Sequence, residues 1–446
     1  MRFVPVSMRA AVVVLLAVGI VVPCLQGQPA GGGLALPAAR VQSGLNSAQA
    51  QSQHYVVLVS LGGFRWDYAR RDGARHLLAL GKEGAWAPEG MLPSFPALAL
   101  PNQFTMVTGL YPEHHGLVAD SFYDPERKAR FDAANAKDAG DGSWYGGVPL
   151  WSLAESQGVR AAAIRWPGAE AVIAGFRPSY AAKSGSKLSG AEHVEQVLKW
   201  LRLPAVERPH FIAVSFEEPG REGREFGPDA AETKAAVLRM DALVGKLKTG
   251  LDATGLPIDL VVVSDRGLAK PEGGWITLDA YTSLKDFETD GTLLYGQTEQ
   301  ERQRVYRQIN HVSSLFVVYR RKEMPAGLDA GVNPRLGDPV VIPTGPYAIR
   351  AEGSGAGRPD KISGKAPAAG IDGLNPSEQP EMKGIFFAVG PDIVPGKTVA
   401  PFENVNLYPW MAHMLGLKAP KSDGNPNILS GTLRDDGGRA GGKANE

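Results

Sequence analysis

Residues 55–65, YVVLVSLGGFR, carry most of the information about the fold. The run from Tyr55 to Leu61 is almost continuously apolar and has the length of a strand, and Gly62 and Gly63 follow it as a turn signal. A strand without polar alternation is typical of a parallel sheet that is covered on both faces. The stretch therefore predicts a buried central strand that ends in a loop at the carboxyl edge of a sheet.

Similar apolar runs recur along the chain and alternate with amphipathic stretches. Further strands are predicted at 161–164, 211–216, 260–264, 314–319 and 384–389, and helices at 74–81, 149–157, 191–201, 230–251 and 298–309. The last helix opens with Thr298 and Glu301 at the spacing of a capping box. This alternation predicts an α/β fold with a doubly wound, mostly parallel central sheet and helices on both faces.

The chain of 446 residues divides by composition into one large domain and its flanks. Residues 1–27 carry Arg2 and Arg9 before an apolar run and predict a signal peptide or an N-terminal anchor. Residues 28–53 predict a flexible linker, 54–430 the α/β domain with a cap-like insertion at 275–370, and 431–446 a disordered tail. We expect an exported protein, periplasmic or extracellular, with no membrane contact beyond a retained anchor.

The charge balance gives little information about partners. Lys plus Arg and Asp plus Glu each number 47, so no overall field favours nucleic acid or an anionic membrane. The only cysteine is Cys24, within the expected signal segment, so the mature chain forms no disulfide. We therefore predict no nucleic-acid partner and look for partners at specific sites.

Several loops that follow predicted strands are expected to meet. Ligands of an open parallel sheet bind beyond the carboxyl ends of its strands. The loops at 60–65, 216–224 and 263–267 follow strands, and a helix begins near Pro101 and Asn102, where backbone N–H groups suit a phosphate. The sequence therefore predicts one site at this edge.

A set of short motifs identifies a family that this chain resembles. They are SLGGFR at 60–65, LPN at 100–102, TGLYPEHHG at 108–116, DSFYD at 120–124, WPG at 166–168 and PFENV at 401–405. Together they resemble the nucleotide pyrophosphatase/phosphodiesterase family of the alkaline phosphatase superfamily, over about residues 54–421. The resemblance implies an alkaline phosphatase-like fold and a two-zinc hydrolase, in which a threonine attacks a phosphodiester and three Asp and three His hold the metals.

Most of the residues that this chemistry requires are replaced at the matching positions. The resemblance places Gly62 and Gly220 at two Asp ligands, Ala99 at the Thr nucleophile, Arg224, Arg266 and Asp372 at three His ligands, and Asp265 at an Asp ligand that is retained. The phosphate-orienting Asn of the family is retained as Asn102. Glycine offers no donor, and a protonated guanidinium has no lone pair for a metal. We therefore predict no catalytic residue, no metal and no cofactor.

The two arginines have three interpretations. In the first, Arg224 and Arg266 are exposed surface charges. In the second, they form internal ion pairs with Asp265 and Asp372. In the third, they clamp a phosphate together with Asn102, although Asn102 has the alternative role of capping its helix. Paired arginines would neutralise carboxylates that are left without zinc. We expect Arg224 or Arg266 within hydrogen-bond distance of Asp265 or Asp372.

The leading functional hypothesis is an exported, inactive relative of the phosphodiesterases, a pseudoenzyme that retains weak binding of a phosphate-bearing small molecule or of a protein partner. One alternative is a working metal-dependent phosphodiesterase with a rebuilt site, whose ligands would come from Asp229, Glu217 or the insertion. A second alternative is a scaffold protein whose interaction surface lies on the insertion.

Overall fold

The computed structural model describes residues 44–182, 188–329, 331, 333–351 and 369–434. The expected signal segment 1–27 lies outside the described residues, as do most of the expected linker and of the expected tail. The strands are β1 Tyr55–Leu61, β2 Ala85–Trp86, β3 Ser121–Asp124, β4 Ala129–Asp132, β5 Ala161–Ile164, β6 Tyr180–Ala182, β7 Phe211–Phe216, β8 Ile258–Val263, β9 Trp275–Thr277, β10 Phe287–Asp290, β11 Leu293–Gly296, β12 Phe316–Tyr319, β13 Val340–Pro343, β14 Ala348–Arg350, β15 Phe386–Val389 and β16 Lys397–Thr398. The α-helices are α1 Tyr68–Asp72, α2 Arg75–Glu83, α3 Ala99–Thr108, α4 Pro112–His115, α5 Ala136–Ala139, α6 Leu150–Ser156, α7 Gly190–Leu201, α8 Gly220–Phe226, α9 Ala231–Asp252, α10 Glu299–Ile309 and α11 Leu407–Met414.

Eight strands form the central sheet, in the order β16-β2-β15-β8-β1-β7-β5-β6. The strands from β8 to β6 run parallel, and β1 pairs with both β7 and β8. Every residue of β1, β7 and β8 is buried, because helices cover both faces. Helices α1, α2, α7 and α9 pack on one face, and α3, α6 and α11 pack on the other. The predicted doubly wound, mostly parallel sheet is confirmed.

Two predicted strands are arranged differently from the expectation. Strand β15 runs antiparallel to β8, so its carboxyl end lies at the amino ends of the parallel strands. Strand β12, within the predicted segment 314–319, does not join the central sheet and pairs with β13. Its burial alternates and Val317 is exposed, which is the pattern of a strand with only one covered face. Apolar content alone did not distinguish it from a central strand.

The insertion region packs around a small hydrophobic cluster of its own. That cluster draws its buried residues from 276–349 and includes Leu278, Leu294, Val305 and Ile309. Strands β9 to β14 and helix α10, whose capping box at Thr298 is present, surround it. The cap role of this region stays a prediction.

The ordered domain begins before His54. Within the expected linker, the buried Asn46 side chain donates to the carbonyls of Ala205 and Arg208, both at 2.7 Å. At the other end, Thr432 is buried and its hydroxyl accepts a hydrogen bond from Trp410 Nε1 at 3.1 Å. Contacts with the rest of the fold therefore extend beyond residue 54 at one end and beyond residue 430 at the other. None of the helices in the described ranges is long and apolar enough to cross a membrane.

Candidate functional site

The loops that follow β1 and β7 touch each other at the carboxyl edge of the sheet. The Gly62 N–H donates to the Phe216 carbonyl, and the Gly220 N–H donates to the Gly62 carbonyl, both at 2.7 Å. A Cβ atom at Gly220 would lie 2.7 Å from the Gly62 carbonyl oxygen, and one at Gly62 would lie 2.9 Å from the Phe216 oxygen. These obstacles are backbone atoms, so a side chain at either position requires the two loops to separate. The contact explains why glycine stands at both positions.

Arg266 fills the space beside this contact. Its side chain is only 3% exposed, and its Nη1 lies 2.9 Å from Asp265 Oδ2. Its Nε donates to Asp372 Oδ2 at 2.7 Å, and its Nη2 lies 2.6 Å from the same oxygen. Burial opposes the charge, but attraction to Asp265 and Asp372 outweighs it and raises the pKa of Arg266. One guanidinium therefore bridges two carboxylates inside the protein.

Asp265 is fully committed to contacts within the chain. Its Oδ1 accepts the Gly63 N–H at 2.9 Å, and its Oδ2 accepts from Gln103 Nε2 at 3.3 Å as well as contacting Arg266. Gln103 also donates to the Ser215 hydroxyl at 2.8 Å. Both oxygens of the one family ligand that the sequence retains are thus used in hydrogen bonds that connect β1, α3 and β8.

Arg224 occupies a more open position than Arg266. It lies in α8, its side chain is 42% exposed, and its Nη1 is 3.7 Å from Asp372 Oδ2. At this distance the ion pair is loose and screened by solvent. Arg224 is therefore a cation of this edge that a ligand can approach.

Asn102 has a structural role in the fold. It is fully buried, its Oδ1 accepts the Ser94 N–H at 2.7 Å, and its Nδ2 donates to the carbonyls of Pro96 and Leu98 at 3.0 and 2.9 Å. Asn404 Nδ2 donates to the same Oδ1 at 2.8 Å. These partners use the polar atoms of Asn102 to hold the loop before α3, and its role in binding a substrate stays a prediction.

Asp120 is a site residue that was not predicted from the sequence. Its carboxylate lies beside the Leu100 N–H at the start of α3 and among the charges of Arg266, Asp372 and Arg224. The surrounding protein raises the pKa of Asp120, since it removes water from the carboxylate, although the arginines oppose this. Asp120 opens the DSFYD motif, so the signal was present, but its proximity to α3 is a tertiary contact.

A cavity of about 510 Å³ opens over this cluster. Most of its wall is apolar, and four charged side chains line it. The apolar wall includes Phe95, Leu98, Val118, Trp275, Leu336 and Tyr347, and the charged residues are Asp120, Arg224, Asp290 and Asp372. The cavity lies between the sheet edge and the insertion, so it can enclose an apolar body whose polar end reaches Arg224.

The residues at this edge do not fit two zinc ions. A zinc site needs three or four deprotonated nitrogen, oxygen or sulfur donors around each ion. The donors at the expected positions are the carboxylates of Asp265 and Asp372, and the guanidinium of Arg266 lies between them. A cation at that place would have to displace the arginine and face its positive charge. In the described part of the chain, the one group of three metal-type donors within 4.8 Å of one another is His54, Asp259 and Asp392, which lies elsewhere.

Comparison with protein-family models matches residues 56–367 to the type I phosphodiesterase / nucleotide pyrophosphatase model. Two relatives illustrate the similarity in sequence. An uncharacterized pyrophosphatase/phosphodiesterase of Schizosaccharomyces pombe is 29% identical over 83% of this chain and 79% of its own length. Ectonucleotide pyrophosphatase/phosphodiesterase family member 7 of Rattus norvegicus is 28% identical over 86% of this chain and 89% of its own length.

Solved structures show the same fold. An inactive variant of murine ectonucleotide pyrophosphatase/phosphodiesterase 5, in complex with AMP, superposes with a TM-score of 0.78 at 25% identity and covers 86% of this chain and 100% of its own. The human protein of the same name superposes with a TM-score of 0.77 at 23% identity, over 85% of this chain and 100% of its own. The similarity therefore spans the domain and not a single motif.

Proposed function

The chain belongs to the type I phosphodiesterase / nucleotide pyrophosphatase family, and we propose that it is a non-catalytic member whose cavity binds a phosphate-bearing small molecule without cleaving it. The observation that carries this proposal is the Arg266 guanidinium, buried between Asp265 and Asp372. An arginine in this place supplies the positive charge that metal ions would otherwise supply. Unlike a metal ion, it cannot activate a nucleophile by coordination.

The residue at the family's nucleophile position supports the same conclusion. Ala99 is the first residue of α3, where a hydroxyl or thiol would be needed for covalent phosphoryl transfer. The nearest hydroxyl on α3 belongs to Thr105, which is buried and contacts His115 Nε2 at 3.0 Å. Thr105 and His115 lie inside the junction between α3 and α4, and the turn of α3 places Thr105 away from Ala99. No step of ester cleavage can be assigned to these residues.

The alternative of a rebuilt active site finds little support. Its candidate ligand Asp229 contacts Arg71 at 2.6 Å and Arg65 at 3.2 Å, and Glu217 pairs with Arg165. Each of these carboxylates already has a cationic partner on its own loop or a neighbouring one. We therefore treat catalysis as the less favoured proposal.

Hydrolysis of bis(4-nitrophenyl) phosphate by the purified chain, with added zinc, tests the catalytic half of the proposal. We expect turnover equal to that of buffer alone, while an active phosphodiesterase in parallel shows that the assay works. Turnover that scales with protein and disappears with a chelator would overturn it.

Calorimetric titration with AMP tests the binding half. We expect weak binding, and Arg224→Ala should raise the dissociation constant at least about fivefold, since a charge-assisted hydrogen bond contributes about 1.5–3 kcal/mol before solvent screening. Arg202→Ala, at the end of α7 on another face, serves as the matched control. If AMP at millimolar concentration does not bind, the scaffold interpretation replaces this one.

We also propose that the protein is exported, to the periplasm or the extracellular space. The support is the charged and then apolar N-terminus, together with relatives that are named ectonucleotide pyrophosphatases. N-terminal sequencing of the native protein should find a start that results from cleavage within residues 27–38. A retained Met1 in a cytoplasmic fraction would contradict export.

A further inference from the structure

Three side chains meet at the amino edge of the sheet, opposite Arg266. His54 directly precedes β1, Asp259 is the second residue of β8, and Asp392 lies three residues after β15. One donor atom from each lies within 4.8 Å of the other two. We call these three residues the amino-edge cluster.

The sheet topology explains why residues so distant in sequence converge. Val56 pairs with Asp259 in the parallel register of β1 and β8. Since side chains alternate between faces, His54 and Asp259 project from the same face. Strand β15 is antiparallel to β8, so the chain leaves it at the amino edge and brings Asp392 to the other two residues.

The local contacts hold the donors in place. His54 Nδ1 lies 2.9 Å from Asp392 Oδ1, and the Asp392 N–H donates to Asp259 Oδ1 at 3.0 Å. Gly390 lies directly against the same carboxylate, because a Cβ atom there would be 2.3 Å from Asp259 Oδ1. A glycine before Asp392 therefore allows the Asp259 carboxylate to turn toward the cluster.

The charges of the cluster favour a cation. Asp259 is fully buried, and the side chains of His54 and Asp392 are 29% and 16% exposed. Two carboxylates held this close repel each other unless positive charge lies between them. A histidine supplies a full charge only when it is protonated, whereas as a neutral ligand it joins both carboxylates in binding a metal ion.

We propose that the amino-edge cluster is a metal site that takes a divalent transition-metal ion such as zinc. One imidazole and two carboxylates are a donor set suited to zinc or manganese. Donor atoms that share a tetrahedral zinc ion at about 2.0–2.2 Å lie roughly 3.4 Å apart. The widest spacing in the cluster, at most 4.8 Å, therefore needs to contract by up to about 1.4 Å, and the 2.9 Å contact between His54 and Asp392 needs to open slightly. The partial exposure of His54 and Asp392 gives the ion a path and leaves room for water to complete its coordination.

The site is structural and independent of the carboxyl edge. A bound ion would join the start of β1, the start of β8 and the segment after β15, which are far apart in sequence and adjacent in the sheet. It lies at the opposite ends of these strands from the cavity, so it supplies no metal to that cavity. The proposal therefore does not depend on whether the cavity is catalytic.

Zinc titration of the untagged, chelator-treated full chain by isothermal calorimetry tests the proposal. We expect one ion per chain with a dissociation constant of micromolar or below, and a rise in the thermal unfolding midpoint when zinc is added. His54→Gln and Asp392→Asn should each weaken binding at least tenfold, and neither residue is so buried that its substitution prevents folding, which circular dichroism would verify.

Two controls locate the ion. His114→Gln removes another surface histidine–aspartate contact, His114 Nδ1 to Asp423 Oδ2 at 2.7 Å, and should leave zinc affinity unchanged. Asp372→Asn alters the carboxyl edge and should also leave it unchanged. Absence of zinc binding by the wild-type chain, or equal affinity in His54→Gln and Asp392→Asn, would overturn the proposal, since the cluster would then be only a histidine–carboxylate pair.

Discussion

Strand β8 has an aspartate near each end, and the two differ in the partner that the fold gives them. Asp265, just beyond the carboxyl end, meets the buried Arg266 guanidinium at 2.9 Å. Asp259, near the amino end, meets Asp392 and His54. The metal site that the family resemblance implies falls at the end where Arg266 pairs with the carboxylates, and the histidine lies at the other end. If both proposals hold, the compensating side chain, more than the carboxylate itself, determines whether an end of the sheet can bind a metal.

Removal of the Arg266 charge should give the largest effect. Arg266→Met keeps a long side chain but leaves Asp265 and Asp372 without their shared cation. Breaking a buried ion pair costs about 3–5 kcal/mol, so the free energy of unfolding should fall by about that amount. Chemical denaturation measures this loss. Arg224→Met is the matched control, and its free energy of unfolding should fall by less than about 1 kcal/mol, because the Arg224 side chain is 42% exposed. Equal effects for the two variants would refute the claim that Arg266 carries the compensation.

The contact between the loops after β1 and β7 provides the second test. Gly220→Ala places a Cβ atom 2.7 Å from the Gly62 carbonyl oxygen and should destabilise the protein by about 1–3 kcal/mol. Helix propensity alone predicts the opposite sign, since alanine at a helical position usually stabilises by about 0.4–1 kcal/mol. Gly327→Ala, which meets no atom within 4 Å, is the control and should change stability by under about 0.5 kcal/mol. A stabilised Gly220→Ala variant would show that the two loops separate easily.

The acid sensitivity of the carboxyl edge should come partly from His115, beneath α3. Burial lowers the pKa of His115 to about 3, whereas an unfolded histidine titrates near 6.5. As pH falls below 6.5 the unfolded chain takes up the proton first, so stability is lost, by about 1.4 kcal/mol at pH 5.5.

Denaturation at pH 7.5 and 5.5 measures this loss in the wild-type chain and in His115→Asn. His115→Asn should lose less stability between these pH values than the wild-type chain, because it lacks the contribution of His115. His114→Asn, on the surface, should lose as much stability as the wild-type chain. An unchanged pH dependence in His115→Asn would mean that this histidine is accessible to protons in the folded state.

The smallest expected effect concerns Asp120 at the base of the cavity. Asp120→Asn removes a negative charge near Arg224 and should strengthen AMP binding about two- to fivefold, since a solvent-screened charge interaction is worth up to about 1 kcal/mol. Glu232→Gln, in the first turn of α9, is a control that removes one negative charge elsewhere. Weaker binding in Asp120→Asn would indicate that the carboxylate itself recognises the ligand.

The sequence predicted the layers of the fold because each layer is encoded locally. Strands β5 and β7 have the predicted bounds, and helices α7 and α9 lie within two residues of prediction, since apolar periodicity and caps are short-range signals. The direction of β15 was not predictable in this way. An antiparallel strand that is buried on both faces has the same apolar pattern as a parallel one.

The site was predictable as a set of positions but not as a set of contacts. The family resemblance placed Arg266, Asp265 and Asp372 at one site, and they lie within one ion-pair cluster. The role of Asn102 depends on Ser94 and on the distant Asn404, and the amino-edge cluster depends on the reversal of β15. Apart from the Ser94 contact, these contacts join residues at least 133 positions apart, so a local pattern carries no signal for them.

The central claim is that arginine has replaced metal at the carboxyl edge. The most direct test combines zinc analysis with bis(4-nitrophenyl) phosphate turnover in the His54→Gln variant, in which the other candidate metal site is removed. We expect only trace zinc, far below one ion per chain, and hydrolysis at the rate of buffer alone. One or two tightly bound zinc ions per chain in this variant, with turnover that a chelator abolishes, would contradict it.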